Sequence, residues 1–295
     1  MTKLTLTLAL LTISTMVIAQ LPNTNIYVFS MQREGQQFYF NQPKYLTKFN
    51  SKGYNNQPCF VNNNELYMTV QLATDTTQTD IYALNLLTKT RTRLTATPES
   101  EYSPMLTPDR NYFSCVRVDA ANTDIQRLWK YPVDRSNSGK PVFKSVSDVG
   151  YYQWVNDTLV SMYLVGNPDF MVLGKTGSQT IVRVIPKIGR CFQVRPDGRI
   201  AYVQKATENT WLLRALNTNT LGSENITPTV PGCEDFVSLP DGTLIMGNGS
   251  KLYRFTPGLD KEWVEVADLR YYKINNIKRL AINRNNDKIA IVNEQ

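Results

Sequence analysis

The sequence predicts an all-β protein, a six-bladed β-propeller with four-stranded antiparallel blades, and three observations predict it. First, one hairpin motif occurs six times: an apolar strand, then Pro-Asp-Gly or a degenerate form of it, then a second apolar strand. Second, the Asp-equivalent positions keep a steady spacing, at 63, 109, 157, 197, 241 and 285. Third, the two ends of the chain hold complementary halves of one repeat. Four short strands in a period of roughly 44 residues are typical of a propeller blade.

Each copy of the motif is suited to a tight turn between antiparallel strands. Proline presets the first corner of such a turn, while Asp, Asn and Gly tolerate the positive φ that closes it. The clearest copies are Pro108-Asp109, Pro196-Asp197-Gly198 and Pro240-Asp241-Gly242. The weaker copies are Asn62-Asn63-Asn64, Asn156-Asp157 and Arg284-Asn285-Asn286.

The strands that follow each turn complete the blade. In the first full repeat they are Leu66 to Val70, Asp80 to Leu84 and Thr92 to Thr95. The last hairpin, from Lys278 to Asn293, supplies only two strands, and Ile26 to Phe29 with Lys44 to Thr47 match the missing third and fourth. The N- and C-terminal strands therefore share one blade, which closes the ring and leaves no large open edge.

The first 19 residues have the pattern of a signal peptide. Lys3 provides a positive n-region, an uncharged apolar run extends from Leu4 to Ile18, and Val17 and Ala19 occupy the −3 and −1 places before Gln20. We expect residues 1–19 to be removed and residues 20–295 to form a single propeller domain. No later segment is apolar enough to span a bilayer, so we expect a periplasmic or secreted protein without a membrane span.

The amino-acid composition excludes several classes of catalytic, metal and nucleic-acid site. The chain has no histidine, which excludes Ser-His-Asp and Cys-His nucleophile systems and every histidine-based metal site. The net charge of +7 comes from scattered Lys and Arg residues, with no basic stripe interleaved with aromatics, so nucleic acid is not an expected partner.

Several segments carry a family resemblance. They are Asn56-Gln57-Pro58, Asp80-Ile81-Tyr82, Leu94-Thr95, Glu101-Tyr102-Ser103-Pro104 and Pro108-Asp109. In these segments the chain resembles the TolB-like propellers, a WD40-like group, although it has no Trp-Asp dipeptide. The resemblance implies a bacterial envelope protein that binds other macromolecules through the propeller mouth. We therefore expect a non-enzymatic, monomeric binding or scaffold propeller, with an envelope protein or a glycan as its partner.

The mouth can be located by counting back from the turns. The strand before each turn is the innermost of its blade, so residues six and seven places before the Asp position should ring the central funnel. With two adjoining residues, the candidate ligand-binding set is Asn56, Gln57, Glu101, Tyr102, Tyr151, Tyr152, Arg190, Glu234, Asp235, Lys278 and Arg279. Convergent polar groups at a concave mouth favour a ligand site. The alternative is that these side chains only plug and hydrate the channel.

Two further interpretations of these acidic residues and of the cysteines remain open. Glu101, Glu234 and Asp235 could be the catalytic carboxylates of a histidine-independent glycosidase or lyase. The same carboxylates could instead bind calcium, although no cofactor is expected. Cys191 and Cys233 lie near the starts of adjacent inner strands, so a disulfide between them is possible. The other two cysteines, Cys59 and Cys115, lie inside strands and are expected to be buried free thiols.

Overall fold

The computed structural model describes residues 20–295, so the predicted signal peptide lies outside the described residues. This part of the chain contains 24 β-strands, two single-turn 3-10 helices and no α-helix. The strands form six antiparallel sheets of four strands each. Among these residues no helix has the length and apolarity needed to cross a membrane. The six-bladed propeller predicted from the repeat is confirmed.

Five blades are continuous in sequence. Blade 1 consists of β3 (Tyr54–Asn62), β4 (Glu65–Leu72), β5 (Asp75–Asn85) and β6 (Arg91–Arg93). Blade 2 consists of β7 (Ser100–Leu106), β8 (Tyr112–Val118), β9 (Gln126–Pro132) and β10 (Lys140–Pro141). Blade 3 consists of β11 (Val149–Trp154), β12 (Leu159–Leu164), β13 (Phe170–Lys175) and β14 (Thr180–Pro186). Blade 4 consists of β15 (Ile188–Val194), β16 (Ile200–Lys205), β17 (Trp211–Leu216) and β18 (Ser223–Pro228). Blade 5 consists of β19 (Phe236–Ser238), β20 (Leu244–Asn248), β21 (Lys251–Phe255) and β22 (Val264–Asp268).

Blade 6 closes the ring with both ends of the described chain. Its inner strands are β23 (Ile277–Ile282) and β24 (Lys288–Glu294), and its outer strands are β1 (Thr24–Glu34) and β2 (Gln37–Tyr45). The strands β1 and β24 pair from Thr24 opposite Glu294 to Ser30 opposite Lys288, as the complementary half-blades predicted. The outermost strand, β2, begins earlier in the sequence than expected. The reason is that β1 continues to Glu34 and the chain then reverses direction at Gly35, whose φ is 59°.

The six predicted turns all lie between the first and second strands of a blade. In the blade 4 turn, Gly198 has a φ of 77°, and its N–H donates to the Arg195 carbonyl at 2.9 Å. The Asp197 carboxylate accepts the Arg199 N–H at 3.0 Å and so holds the corner. In the blade 2 copy, which lacks the glycine, Arg110 takes the positive φ of 61°.

The core lies between the blades. Six apolar clusters each join one blade to its neighbour. Strand β24 shows why: Ile289 and Ile291 pack against blade 5, whereas Ala290 and Val292 pack against blade 1. Side chains alternate between the two faces of a strand. A strand that is buried on both faces therefore has apolar residues at consecutive positions of its sequence. Each fully buried valine or isoleucine side chain contributes about 1.5–3 kcal/mol to the stability of the fold.

Candidate binding site at the funnel mouth

The innermost strands of the six blades line a central channel. At the end where these strands begin, the channel opens into two adjoining cavities of about 400 and 880 Å³, which we call the funnel mouth. Leu21, Tyr54 and Tyr151 line both cavities and so form the boundary between them. A third cavity of about 380 Å³ lies deeper in the channel and is lined by all six inner strands or the residues just before them. Tyr151 borders all three cavities.

Nine of the eleven candidate residues line the funnel mouth. They are Asn56, Gln57, Tyr102, Tyr151, Arg190, Glu234, Asp235, Lys278 and Arg279. Counting back from the turns places them well, because each inner strand begins at this end of the channel. The two exceptions are Tyr152, which borders the deeper cavity, and Glu101, which is fully buried.

The centre of the mouth is an ion-paired group in which one aspartate joins two arginines. One Asp235 oxygen lies 2.8 Å from Arg190 Nε and 2.5 Å from its Nη2. The other Asp235 oxygen lies 3.3 Å from Arg279 Nη1. Arg279 Nη2 also donates to the Tyr151 hydroxyl at 3.2 Å, and its guanidinium lies 5.1 Å from the centre of the Tyr151 ring. These contacts hold two arginines and one tyrosine in defined positions at the mouth.

Glu234 extends this group toward blade 4. Its Oε1 lies 3.5 Å from Arg190 Nε, and its Oε2 lies 3.0 Å from Lys205 Nζ. The backbone N–H of Arg190 also donates to Oε2, at 3.2 Å. Burial by itself would raise the pKa of Glu234, but the two cations and the hydrogen bonds bring it below its ordinary value. The carboxylate therefore stays ionised at neutral pH.

The remaining mouth residues are partly occupied by contacts within the protein. Lys278 Nζ lies 3.7 Å from a Glu294 carboxylate oxygen. The Gln57 side-chain oxygen accepts from the Thr69 hydroxyl at 2.7 Å and from the Ser103 N–H at 2.9 Å, which ties blade 1 to blade 2. Asn56 is buried, and its side-chain oxygen accepts the Gln57 N–H at 2.8 Å.

Glu101 is not at the mouth, contrary to the expectation from sequence. Its neighbours Ser100 and Tyr102 line the larger cavity, and alternation along β7 turns Glu101 to the opposite face, between blades 1 and 2. There it accepts a hydrogen bond from the Thr97 hydroxyl, and Thr79 donates to its backbone carbonyl. Burial raises the pKa of Glu101 to about 7.

Tyr152 is also a buried residue with an interior role. Its hydroxyl donates to the Ser103 carbonyl at 2.9 Å and lies 2.9 Å from the Ser114 hydroxyl. The indole N–H of Trp154 donates to the same Ser114 oxygen at 2.9 Å. This network joins blades 2 and 3 behind the channel wall.

The cysteines in the structure are free thiols. The possible Cys191–Cys233 disulfide is not formed: Cys191 Sγ lies 3.3 Å from the Phe236 carbonyl oxygen and Cys233 Sγ 3.2 Å from the Gly247 carbonyl oxygen. Each thiol thus has its own backbone acceptor. Burial raises the pKa of Cys191 to about 12 and that of Cys233 to about 11.

Sequence counting missed several residues of the site. Tyr54 precedes Asn56 by two positions, and two-residue periodicity could have placed it on the same face. Glu294 ends β24 and lines the mouth, and Lys205 ends β16 and contacts Glu234. Both belong to second strands, which the count from the turns did not include. Leu21 belongs to the segment before the first strand and carries no repeat signal.

Comparison with known proteins identifies solved structures with the same architecture. No protein-family profile matches the sequence, and no curated protein matches it. A solved structure assigned as TolB of Agrobacterium tumefaciens is similar with a TM-score of 0.68 and 10% identity, over 93% of this chain and 99% of that one. TolB of Acinetobacter baumannii is similar with a TM-score of 0.57 and 13% identity, over 92% of this chain and 64% of that one.

The chain has the TolB-type propeller fold. The fold is shared more widely, because an oligogalacturonate lyase of Vibrio parahaemolyticus is similar with a TM-score of 0.52 and 13% identity, over 90% of this chain and 97% of that one. At such identities the likeness establishes the TolB-type fold, and the function has to be argued from the site.

Proposed function

We propose that this chain is a non-enzymatic binding propeller of the bacterial cell envelope that engages a protein partner through the funnel mouth. The observation that carries the proposal is the fixed arrangement of Arg190, Arg279 and Tyr151 around Asp235 at an open concave surface. Tyrosine and arginine are enriched among the residues that dominate protein–protein binding energy. The TolB-type fold and the predicted signal peptide support the envelope location.

The mouth is already ordered before any partner arrives. Asp235 holds both guanidinium groups, and Tyr151 packs edge-to-face on Tyr163 with ring centres 5.7 Å apart. A partner would therefore not have to immobilise these side chains, which for a flexible side chain costs about 0.5–1.5 kcal/mol. Preorganised anchors favour a binding role.

Charge at the mouth indicates the kind of surface that the partner presents. Three cations (Arg190, Lys278 and Arg279) and three carboxylates (Glu234, Asp235 and Glu294) line the mouth, and the adjoining Lys205 adds one positive charge where it contacts Glu234. A polar segment with a modest acidic excess complements this mouth.

The enzymatic alternative is less well supported by the geometry. It relied on carboxylates of the funnel, but Glu101 is buried away from the mouth, and Glu234 and Asp235 are each held by two cations. A general acid needs a raised pKa and access to the substrate, and Glu234, whose pKa is lowered, does not have the first. The likeness to the Vibrio lyase is a likeness of fold alone.

Site-specific photocrosslinking in the native host tests the proposal. A photoreactive phenylalanine analogue is placed at Tyr102 or Lys278 in the mouth and, as a control, at Leu259, which is 57% exposed in the β21–β22 turn. We expect one discrete protein adduct from both mouth positions and none from the control. Tyr151→Ala combined with Arg279→Gln should lower the adduct yield at least tenfold.

Thermal unfolding of each variant confirms that loss of the adduct is not loss of the fold. Equal adducts from Leu259, or an adduct that persists in the double variant, would contradict the mouth as the site. If no protein adduct forms and a glycan array gives binding that the double variant loses, the partner is a glycan and the protein proposal is wrong.

A further inference from the structure

A second concave surface lies on the outer strands, separate from the funnel mouth. Where blade 6 meets blade 1, the end of β2 and the β5–β6 hairpin border a groove of about 660 Å³. Its floor contains Leu46, Leu84 and Leu86, and we call it the outer groove. Its volume lies within the range of about 300–1,000 Å³ that is usual for small-molecule sites.

The floor of the outer groove is apolar, and Asn85 adds a polar amide to its lining. Leu84 and Leu86 are buried in the cluster that joins blades 6 and 1, and Leu46 packs against the same cluster. Tyr45 and Phe49 line the groove, yet each keeps more than a third of its surface exposed. Single exposed apolar residues are ordinary, but two aromatics bordering one apolar floor form a contiguous patch, and such patches mark interaction sites.

The rim of the outer groove is cationic. Lys44, Lys89 and Arg91 line it, and no carboxylate is among its lining residues. Within residues 20–295, none of these three cations forms an ion pair. By contrast Arg93, two residues along the same strand, lies 2.7 Å from Asp80. Three cations around an apolar floor are therefore left without an anionic partner.

Arg91 is held in place at this rim. Its guanidinium lies over the Phe49 ring, 4.0 Å from the ring centre. A cation stacked on an aromatic face keeps its edge N–H groups available, and the planar guanidinium matches a carboxylate in bidentate geometry. The aromatic contact thus positions an anion-binding group at the rim of the outer groove.

We propose that the outer groove binds a single small amphiphilic anion, a long-chain carboxylate whose alkyl chain lies on the leucine floor. The carboxylate would contact Arg91, with Lys44 and Lys89 adding attraction. The three leucine side chains of the floor favour an alkyl chain, and the unpaired cations favour an anionic head. The site is independent of the funnel mouth, since none of its lining residues lines either cavity of the mouth.

Isothermal titration calorimetry with dodecanoate, below its micelle concentration, tests the site. We expect one molecule per chain, affinity that rises about fourfold per added methylene from octanoate to dodecanoate, and binding that weakens with added salt. Lys89→Gln with Arg91→Gln should weaken dodecanoate binding about tenfold, as expected for loss of a charge-assisted contact. An uncharged detergent with the same alkyl chain should bind more weakly than dodecanoate.

The chain offers a matched control. Arg183 is exposed and stacks on Phe170 at 4.9 Å, and Lys187 is exposed nearby. The Arg183→Gln/Lys187→Gln variant removes the same charge at another blade, from β14 and the residue that follows it, and should leave dodecanoate binding unchanged. Equal loss in both variants would show that net charge, not the groove, governs binding and would overturn the proposal. Binding to anionic phospholipid vesicles without saturable binding of monomeric dodecanoate would overturn it as well.

Discussion

Glu101 predicts an unusual dependence of stability on pH. Its side chain is fully buried between blades 1 and 2; one carboxylate oxygen accepts from Thr97, and the other has no hydrogen-bond partner among the described residues. Burial is the main cause of the raised pKa; the hydrogen bond from Thr97 and the charge of Arg117 oppose it, and the nearby Asp80 carboxylate adds to it. In the unfolded chain the same carboxyl has an ordinary pKa of 4.5.

The sign and size of the effect follow from proton linkage. The folded state holds the proton up to a pH of about 7, so stability from this group is fully present below pH 4.5 and is lost as the pH rises through 7. The two pKa values lie about 2.5 apart, and at 1.36 kcal/mol per pH unit the loss is about 3 kcal/mol. Glu101→Gln keeps the shape without the charge, so it should recover most of this loss at pH 8 and none at pH 4.

Urea unfolding, followed by the fluorescence of the four tryptophans, measures the pH-dependent loss of stability directly. At pH 8 the midpoint of Glu101→Gln should lie about 1 M above that of the wild type, for a urea dependence of about 3 kcal/mol/M. Glu99→Gln is the matched control. Burial opposes ionisation of Glu99, but Arg117 at 2.6 Å lowers its pKa overall, so this variant should be less stable than the wild type at pH 8. If Glu101→Gln has the same midpoint as the wild type at pH 8, the reasoning about a buried charge is refuted.

Three other predictions concern the mouth, the packing and the thiols. Asp235→Asn should cost about 2–4 kcal/mol in urea unfolding, because it leaves Arg279 without a carboxylate partner and Arg190 with Glu234 alone at a partly buried site; no loss would show that solvent already screens the two arginines. Gly174→Ala should cost about 1–3 kcal/mol, because its Cβ would lie 2.5 Å from Phe143, whereas Gly177→Ala, with open space around it, should be neutral. The Cys191 thiol, with its pKa raised to about 12, should resist alkylation at pH 8 until the protein is unfolded, as mass spectrometry of labelled protein can check; rapid labelling of the folded protein would contradict the raised pKa.

Much of the architecture could be predicted because its signals are local. Pro196-Asp197-Gly198 specifies its own turn, since the Gly198 backbone adopts the positive φ that the turn needs. The shared blade was predictable from the half-repeats at the two ends, which pair as β1 and β24. The regular spacing of the turns also placed nine candidate residues at the mouth, because each lies at a fixed distance from a turn.

The chemistry of the mouth was not predictable in the same way. Glu101 and Glu234 are both acidic residues near the start of an inner strand, yet one is buried with a raised pKa and the other is ion-paired with a lowered pKa. The difference depends on which face of the strand each side chain occupies and on Lys205, 29 positions before Glu234. A repeat pattern holds no information on such contacts.

The sequence by itself determined the number of blades, the closure of the ring and the end of the channel at which polar residues gather. These properties follow from turn chemistry and two-residue alternation, which act over a few residues. Only the tertiary structure decided that Arg190 and Arg279 share Asp235, that Glu101 is withdrawn from the mouth, and that outer strands of two blades form a cationic groove. The physical reason is that charge pairing and burial depend on distances between residues far apart in the chain, and packing of the blades sets those distances.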